Sequence, residues 1–337
     1  MTSEIDFIQW LHSLTPSLLD PEKGIGDDAA ILSPPKGKQL IVSTESLVEN
    51  VHFRREKISP AFLGHKSLLV NLRDLAAMGA EPWTCLLSMV LPEDLVGSDY
   101  SSIFFKSFLE ETRRWQVNLV GGNLSKGSII QITVTILGTV PLGQAVRRDT
   151  CLEGDSIFVV GRLGYSALGL QQLEELNFEE PPANEEELLK IVHNGKNLSF
   201  ITNHLLPTPR ISEGIWLRNQ GLANSMIDIS DGLVTDLQRI ANSSFVDIVL
   251  HNQALEELKS EGGEKIDLQH ILNGGEDYAL AFSCPKKETY RLRTNYPDNF
   301  GRLLRLGEAR RTKSPAIWLD KGIHQVILTP EGFDHFK

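Results

Sequence analysis

The spacing of apolar residues along the chain predicts alternating helices and strands. Residues 5–14 place apolar side chains at i, i+3, i+4 and i+7, which is the spacing of an amphipathic helix. Residues 132–136 are five consecutive Ile, Val or Thr side chains, a run typical of a strand. Further helices are predicted over 59–78, 98–115, 165–176 and 209–220, and further strands over 39–43, 86–91, 117–120, 156–160 and 278–282. From residue 225, a strand, an acidic turn and a helix follow one another.

The length of 337 residues predicts about two domains. Residues 138–143 form the predicted boundary. It separates an N-terminal domain over 1–142 from a C-terminal domain over 143–337. Within the second domain, residues 179–187 are acidic and carry two adjacent prolines, so we interpret this segment as a solvated excursion.

Composition excludes several classes of protein. The net charge of −11 argues against non-specific binding to nucleic acid or to a membrane surface. Cys85, Cys151 and Cys284 are odd in number and far apart, so neither a disulfide framework nor a thiolate zinc site is expected. The chain has no apolar run near the ~18 residues of a membrane span and no signal-peptide pattern at its start. We therefore expect a cytoplasmic protein.

The loop at residues 24–30, Gly-Ile-Gly-Asp-Asp-Ala-Ala, carries the first candidate chemistry. Asp27 and Asp28 are adjacent carboxylates, and their repulsion is relieved when a cation or several backbone N–H groups lie against them. The pattern also matches the Gly-x-Gly-x-x-Ala of dinucleotide-binding loops, but residues 20–23 do not form the strand that this motif needs. A bound metal is the favoured interpretation, and an acidic surface turn is the alternative.

Acidic or amide side chains recur next to predicted strand or helix ends. They are Asp27, Asp28, Glu45, Asp74, Asn123, Asp228, Asp231, Glu276 and Asp277. Hard oxygen ligands spread over several turns suit Mg²⁺, which is commonly held by a few carboxylates together with substrate phosphates. Phosphoryl transfer needs mainly metal bridging and positive charge, for which Lys126, Arg147 and Arg148 are candidates. The chain lacks the Gly-x-x-x-x-Gly-Lys-Ser/Thr motif, so a P-loop fold is not expected.

Five motifs, in the same order over nearly the whole chain, carry a family resemblance. They lie at residues 24–30, 70–79, 229–233 with Asp236, 274–278 and 332–336. Together they resemble thiamine-monophosphate kinases, which belong to a wider superfamily of ATP-binding enzymes that includes aminoimidazole ribonucleotide synthetase. The resemblance implies a two-domain α/β (α+β) fold. In it, a ferredoxin-like N-terminal half binds ATP and Mg²⁺ and pairs its sheets across a homodimer, and the C-terminal half is α/β.

The resemblance also implies an activity and a set of site residues. The implied reaction transfers the γ-phosphoryl group of ATP to the phosphate of thiamine monophosphate, gives thiamine diphosphate and uses several Mg²⁺ ions. The implied metal ligands are Asp28, Ser43, Thr44, Glu45, Asp74, Asn123, Asp228 and Asp231. The implied ATP contacts are Gly122, Asn123, Arg148 and Ser230, and the implied substrate contacts are His52, Glu276 and Phe333. Asp74, Arg148 and Asp231 are the implied catalytic residues, and a plain core position is the alternative for Phe333.

Three residues depart from the usual pattern of that family. Glu45 and Asn123 stand where the family usually has Asp, and Arg73 stands where it usually has Ser. Glu45 is one methylene longer than Asp and Asn123 lacks the charge, and both changes are expected to weaken metal binding at this site. Arg73 adds a cation beside Asp74, which either lowers metal affinity by repulsion or partly substitutes for an absent metal. Two alternatives to the kinase therefore stay open: a catalytically weakened nucleotide-binding homologue, and a sister ATP-dependent enzyme that acts on another small molecule.

Overall fold

The computed structural model describes residues 4–15, 22–192, 196–260, 266–333 and 336. The chain divides into two compact units. Unit 1 comprises Met1–Leu75, Glu81–Gly143 and Leu173–Leu198, and unit 2 comprises Ala76–Ala80, Gln144–Gln172 and Ser199–Lys337. Unit 1 thus takes in residues 173–198, which a boundary after residue 142 assigns to the C-terminal half.

Helices and strands alternate through the described residues. The helices are α1 (Glu4–Leu14), α2 (Pro60–Ala77), α3 (Asp99–Arg114), α4 (Tyr165–Glu174), α5 (Glu185–Ile191), α6 (Leu198–Leu205), α7 (Ile211–Gln220), α8 (Leu233–Ser244), α9 (Asn252–Lys259), α10 (Leu268–Asn273) and α11 (Thr289–Asn295). The strands are β1 (Lys38–Val48), β2 (Glu81–Leu91), β3 (Asn118–Lys126), β4 (Gln131–Pro141), β5 (Ser156–Val160), β6 (Ser225–Ile229), β7 (Val246–His251), β8 (Ala279–Cys284), β9 (Leu303–Arg311), β10 (Ile317–Asp320) and β11 (Gln325–Leu328). The predicted α/β fold class is confirmed.

Unit 1 is built on a four-stranded sheet in the order β1-β4-β2-β3. Strand β4 is antiparallel to β1 and β2, and β3 is parallel to β2. Along β4, Ile132, Val134 and Ile136 are buried, whereas Thr133 and Thr135 are partly exposed. Because strand side chains alternate between faces, this sheet has one covered face and one open face.

Strands β1 and β3 are longer than the apolar pattern predicts. The sequence predicts apolar strands that end at residues 43 and 120, followed by a polar strand end that runs into a loop from Thr44 and by a turn at Asn123. That prediction is wrong, because β1 continues to Val48 and β3 continues to Lys126. Strand β4 pairs with every residue of β1, and β2 pairs along β3. Hydrogen bonds to these neighbouring strands keep the polar residues of β1 and β3 in the extended conformation.

The start and end signals predicted for α2, the helix that carries Asp74, are confirmed. Pro60 is its first residue, where the missing N–H has no helical partner to lose. Gly79, just beyond its end, adopts φ +65°, the left-handed conformation that ends helices. The predicted apolar stripe is buried and consists of Leu68, Leu69, Leu72, Leu75 and Ala76.

Unit 2 contains a seven-stranded sheet in the order β11-β10-β7-β9-β5-β8-β6. Alternate side chains of β5 enter two separate cores. Ile157 and Val159 pack in a core with residues of α8, α9 and α10, whereas Phe158 and Val160 pack in a core with residues of α7 and α11. The central strands are therefore covered on both faces, which explains why they are continuous apolar runs.

Three loops lie at the same end of strands β5, β6 and β8 in the unit 2 sheet. Strand β8 is antiparallel to β5 and β6, with Leu280 opposite Val160 and Ala279 opposite Ile229. The ends of β5 and β6 consequently reach the edge at which β8 begins. The loops at this edge span residues 161–164, 230–232 and 274–278.

We expect Phe282→Ala to destabilise unit 2. Phe282 has no exposed surface, and its ring stacks on that of Phe158 with centroids 5.5 Å apart. Loss of the ring leaves a cavity, so the free energy of unfolding should fall by about 3–5 kcal/mol. Urea denaturation followed by circular dichroism measures this change. Tyr290→Ala, at a residue that is 80% exposed, is the control, and equal effects of the two variants would contradict the prediction.

Candidate active site

The covered face of the unit 1 sheet holds a hydroxyl–carboxylate pair. Ser43 Oγ on β1 donates a hydrogen bond to Asp74 Oδ2 on α2 at 2.5 Å. Glu45 lies two residues further along β1, so its side chain is on the same face as that of Ser43. Arg73 Nη2 donates to Glu45 Oε1 at 2.8 Å, while Arg73 Nε donates to the carbonyl oxygen of Val70 at 2.7 Å. Ser43, Glu45 and Asp74 are thus brought to one face, and a guanidinium already neutralises one of the carboxylates.

Thr44 lies on the open face, away from those three residues. Its Oγ1 is 3.1 Å from Thr135 Oγ1 on β4. A residue between Ser43 and Glu45 must point away from both, because side chains alternate along a strand. The Thr44 hydroxyl therefore does not join Ser43, Glu45 and Asp74, because β1 extends through this position.

Gly122 and Asn123 lie on β3, at the opposite edge of the sheet from β1. The strand register leads from Asn123 across β2 and β4 to Ser46 of β1, which is on the open face. Three strand spacings separate β3 from β1, a distance of about 14 Å. Within unit 1, Asn123 is therefore not brought to Asp74. A Cβ at Gly122 would lie 1.8 Å from the carbonyl oxygen of Leu87, so this position requires glycine for packing alone.

In the acidic loop, a nearby backbone N–H and a lysine ammonium offset the repulsion between the Asp27 and Asp28 carboxylates. The Asp28 N–H donates to Asp27 Oδ1 at 2.9 Å, and Lys23 Nζ lies 3.5 Å from Asp27 Oδ2. The Asp28 N–H and the Lys23 ammonium lower the pKa of Asp27. Asp28 itself is exposed. At the other end of β1, His52 Nδ1 accepts a hydrogen bond from the Val48 N–H at 3.0 Å, so the neutral ring carries its proton on Nε2.

In unit 2, a buried carboxylate organises the turn after β6. Asp236 Oδ2 accepts hydrogen bonds from the N–H groups of Ser230, Asp231 and Gly232 at 2.9, 3.0 and 3.2 Å. Burial, followed by the nearby Asp228 charge, raises the pKa of Asp236 to about 7. The guanidinium of Arg239 donates to both Asp231 and Asp236. Asp236 thus holds a turn that presents Asp231 and Ser230, and Asp231 is paired with an arginine.

Two further motifs attach to that turn through backbone hydrogen bonds. The Glu276 N–H donates to the carbonyl oxygen of Ser230 at 2.8 Å, and the Phe333 N–H donates to that of Asp231 at 3.2 Å. A Cβ at Gly332 would lie 2.0 Å from the Asp231 oxygen, so only glycine permits this approach. Three of the five motifs therefore meet in unit 2. Residues 334 and 335 of the last motif lie outside the described residues.

Glu276 is presented by strained backbone. Glu276 and Tyr278 adopt φ +60° and +48°, a conformation that costs non-glycine residues about 1 kcal/mol or more each. Tyr278 Oη donates to Glu276 Oε1 at 3.1 Å. Such strain is concentrated at functional sites. Phe333, on the adjacent segment, is 53% exposed, which contradicts the core alternative for this residue.

Arg148 does not join this group. Its carbonyl oxygen accepts a hydrogen bond from Ser244 Oγ at 3.0 Å, and Ser244 is the last residue of α8. The turn at Ser230 precedes the first residue of α8. The helix has 12 residues and spans about 18 Å, so the Arg148 backbone and the turn are at opposite ends of it.

The role of Asp277 is not evident from the sequence. Its Oδ2 accepts from the Gly164 N–H at 2.7 Å and its Oδ1 accepts from the Ser166 N–H at 3.0 Å, so it caps the start of α4. Burial raises the pKa of Asp277 to about 7. An acidic residue beside a glycine-rich turn was the only available signal, and it does not distinguish a helix cap from a ligand.

Within the described ranges, no three or more His, Cys, Asp or Glu side chains form a group able to hold a metal ion. In the same ranges, no helix combines the length and the apolar character needed to cross a membrane.

A family model and relatives of known name match the chain. The family model described as AIR synthase related protein, N-terminal domain, matches residues 26–140. The chain is 37% identical over 319 residues to the thiamine-monophosphate kinase of Buchnera aphidicola subsp. Schizaphis graminum, and this alignment covers 93% of the chain and 92% of the relative.

Solved structures show the same similarity. The thiamine-monophosphate kinase of Stenotrophomonas maltophilia matches with a TM-score of 0.74 and 33% identity, over 93% of this chain and 95% of that chain. AaThiL complexed with AMPPCP and TMP matches with a TM-score of 0.72 and 30% identity, over 98% of this chain and 96% of that chain.

We expect Asp277 to make the stability of unit 2 depend on pH. Its pKa is about 7 in the fold, against an ordinary value of 3.8. Between these pH values the folded state holds a proton that the unfolded state has released. The stabilisation of the folded state by protonated Asp277 is therefore complete below about pH 4 and is lost as the pH rises to about 7. Stability relative to an Asp277→Asn variant, which cannot ionise, should fall over this window by up to about 1.4 kcal/mol per pH unit.

Urea denaturation at pH values across this window measures the difference. Asp298→Asn, at an exposed aspartate in the same unit, is the control and should parallel the wild type. Parallel curves for wild type and Asp277→Asn would contradict the prediction.

Proposed function

The chain belongs to the thiamine-monophosphate kinase family, and we propose that it catalyses the ATP- and Mg²⁺-dependent phosphorylation of thiamine monophosphate to thiamine diphosphate. The similarity to thiamine-monophosphate kinases over almost the full length of the chain is the observation that carries this proposal. The acceptor is already an anionic phosphate, so the transfer needs no side-chain base. The task of the protein is to position two phosphate groups and to offset their charge.

We propose that each unit supplies oxygen ligands for Mg²⁺. The proposed ligands are Asp28, Ser43 and Asp74 in unit 1, and Asp228 and Asp231 in unit 2. Carboxylate and hydroxyl oxygens are the donors that Mg²⁺ prefers, and one or two carboxylates with substrate phosphates and waters are enough to hold it. When bound, Mg²⁺ would offset negative charge on the transferred group.

Two arginines compete with a metal ion for two carboxylates of the candidate site. Glu45 is paired with Arg73, and Asp231 is paired with Arg239. A metal ion at either carboxylate must compete with a guanidinium. Asp74 accepts a hydrogen bond from the Ser43 hydroxyl and is a proposed ligand in unit 1.

The proposed substrate contacts are His52, Glu276 and Phe333, and the proposed ATP contacts are Gly122, Asn123, Arg148 and Ser230. The exposed ring of Phe333 suits stacking on the cationic ring of thiamine, because an aromatic face attracts a cation. Glu276 adjoins Phe333 through the turn that both segments bind. This shared turn supports a common role for the two residues.

We also propose that two chains form a homodimer through the open face of the unit 1 sheet. Leu40, Val42 and Leu86 on this face are 42%, 60% and 37% exposed, and Leu137 lies opposite Val42. Large apolar side chains grouped on an exposed face mark interaction surfaces. Strand β1 is also an edge strand, whose outer backbone groups can pair with another chain.

A cytoplasmic location is part of the proposal. Cys85, Cys151 and Cys284 are buried free thiols. Burial raises the pKa of Cys151 to about 11, so this thiol stays protonated and unreactive. Buried thiols of this kind suit a reducing compartment.

Phosphorus NMR of the purified protein with ATP, excess Mg²⁺ and thiamine monophosphate tests the reaction. Formation of thiamine diphosphate is the expected result. Calorimetric binding of ATP without turnover would favour the weakened nucleotide-binding alternative. Turnover only with another acceptor, from a panel of phosphorylated and carboxylated small molecules, would favour the sister enzyme.

We expect Asp74→Asn to lower turnover by about 10²-fold or more, because the variant removes a charge that complements the metal at the reacting phosphates. The Ser43 hydroxyl retains an oxygen acceptor in the variant, so the melting temperature should change little. Asp94→Asn, at an exposed aspartate of unit 1, is the matched control. Near-normal turnover of the Asp74 variant would remove Asp74 from the site.

We expect Val42→Lys to convert the dimer into a monomer, because a charge on the open face would be buried without a partner. Light scattering after size-exclusion chromatography measures the mass. Val51→Lys, at a valine of similar exposure in the loop after β1, should leave the dimer intact. A dimer in both variants would exclude this face, and a monomeric wild type would exclude the dimer.

A further inference from the structure

The Glu276 carboxylate is held from two sides. Tyr278 Oη donates to Oε1 at 3.1 Å, and His204 Nδ1 lies 3.3 Å from Oε2. The Glu276 side chain is 28% exposed, whereas that of His204 is 6% exposed. The carboxylate is therefore presented at the surface by a histidine that solvent scarcely reaches.

The contact with the carboxylate determines which nitrogen of His204 carries the proton. A carboxylate only accepts hydrogen bonds, so Nδ1 must be the donor for this contact to be favourable. Ser166 Oγ, which is fully buried, lies 3.0 Å from the same Nδ1 and provides a second oxygen for its N–H. The single Nδ1 hydrogen is therefore shared between the Ser166 hydroxyl and the Glu276 carboxylate.

The backbone that carries His204 is rigidly placed. His204 is in α6, which packs against α4 at Gly169, where a Cβ would lie 2.1 Å from the carbonyl oxygen of Phe200. Asp277 caps the start of α4 and follows Glu276 directly in the chain. Helices α4 and α6 and the strained 276–278 segment therefore form one connected support around the Glu276 carboxylate.

We propose that His204 is a positioning residue, which fixes the orientation of the Glu276 carboxylate toward the substrate. The inference rests on the proposed function, in which Glu276 contacts thiamine monophosphate. A glutamate side chain has several rotatable bonds, and binding is weakened when the bound rotamer is not already populated. A buried N–H aimed at one oxygen selects that rotamer before the substrate arrives.

Kinetic constants of two His204 variants test the proposal. His204→Leu removes the donor, so the KM for thiamine monophosphate should rise about tenfold, the effect of losing one hydrogen bond to a charged group. The KM for ATP should stay within about twofold. His204→Asn keeps an N–H on the atom bonded to Cγ, as in Nδ1, and should recover most of the loss. Equal KM values for wild type and His204→Leu would overturn the proposal.

A double-mutant cycle separates positioning from a general structural effect. In a Glu276→Ala background, His204→Leu should have little further effect on substrate affinity, because the carboxylate that His204 positions is absent. Ser166→Ala, which removes the neighbouring hydroxyl but leaves the contact between His204 and Glu276, is the matched control and should change the KM less than His204→Leu does. A full His204→Leu effect in the Glu276→Ala background would overturn the proposal, as would a Ser166→Ala effect of the same size.

A crystal structure of the His204 variants provides a readout that does not depend on activity. The Glu276 carboxylate should be displaced or disordered in His204→Leu and in place in His204→Asn. If His204→Leu does not fold, the comparison of His204→Asn with His204→Gln decides, because Gln cannot present its N–H at the Nδ1 position. Absence of thiamine diphosphate formation by the wild type would overturn the proposed function. An unmoved carboxylate would overturn the positioning role alone.

Discussion

The three hydrogen bonds accepted by the Asp236 carboxylate are the constraint on which the unit 2 site depends. They satisfy the N–H groups of a turn that neither β6 nor α8 can pair, and they leave the carbonyl groups of Ser230 and Asp231 facing outward from the turn. Those carbonyls accept hydrogen bonds from Glu276 and Phe333. Without the buried carboxylate, the turn would lose its shape and two other segments would lose their attachment points.

Unit 1 depends on a different constraint, the alternation of side chains along β1. Ser43 and Glu45 face α2, and Thr44 faces the open side of the sheet. The same alternation groups Leu40 and Val42 on the open face. One strand thus supports two proposed roles, ligand binding on one face and self-association on the other, and a substitution on one face need not disturb the other.

The family and much of the fold were predictable from local signals. The start and end of α2, the strand at β4 and the family resemblance of the five motifs are confirmed. The extension of β1 and β3 was not predictable, because their polar ends become strand only when β4 and β2 lie beside them. The roles of Asp236 and Asp277 were also missed. A buried carboxylate that accepts backbone hydrogen bonds has the same sequence signature as one that binds a metal.

The sequence by itself determined the family, the types of secondary structure and the oxygen-rich chemistry of the candidate site, because these depend on residue identity within short segments. Only the tertiary structure decided which of those oxygens meet. It paired Glu45 with Arg73, separated Asn123 from Asp74 by the width of a sheet, and placed His204 against Glu276. Strand order and helix packing bring together residues that are remote in the chain, and no short segment contains that information.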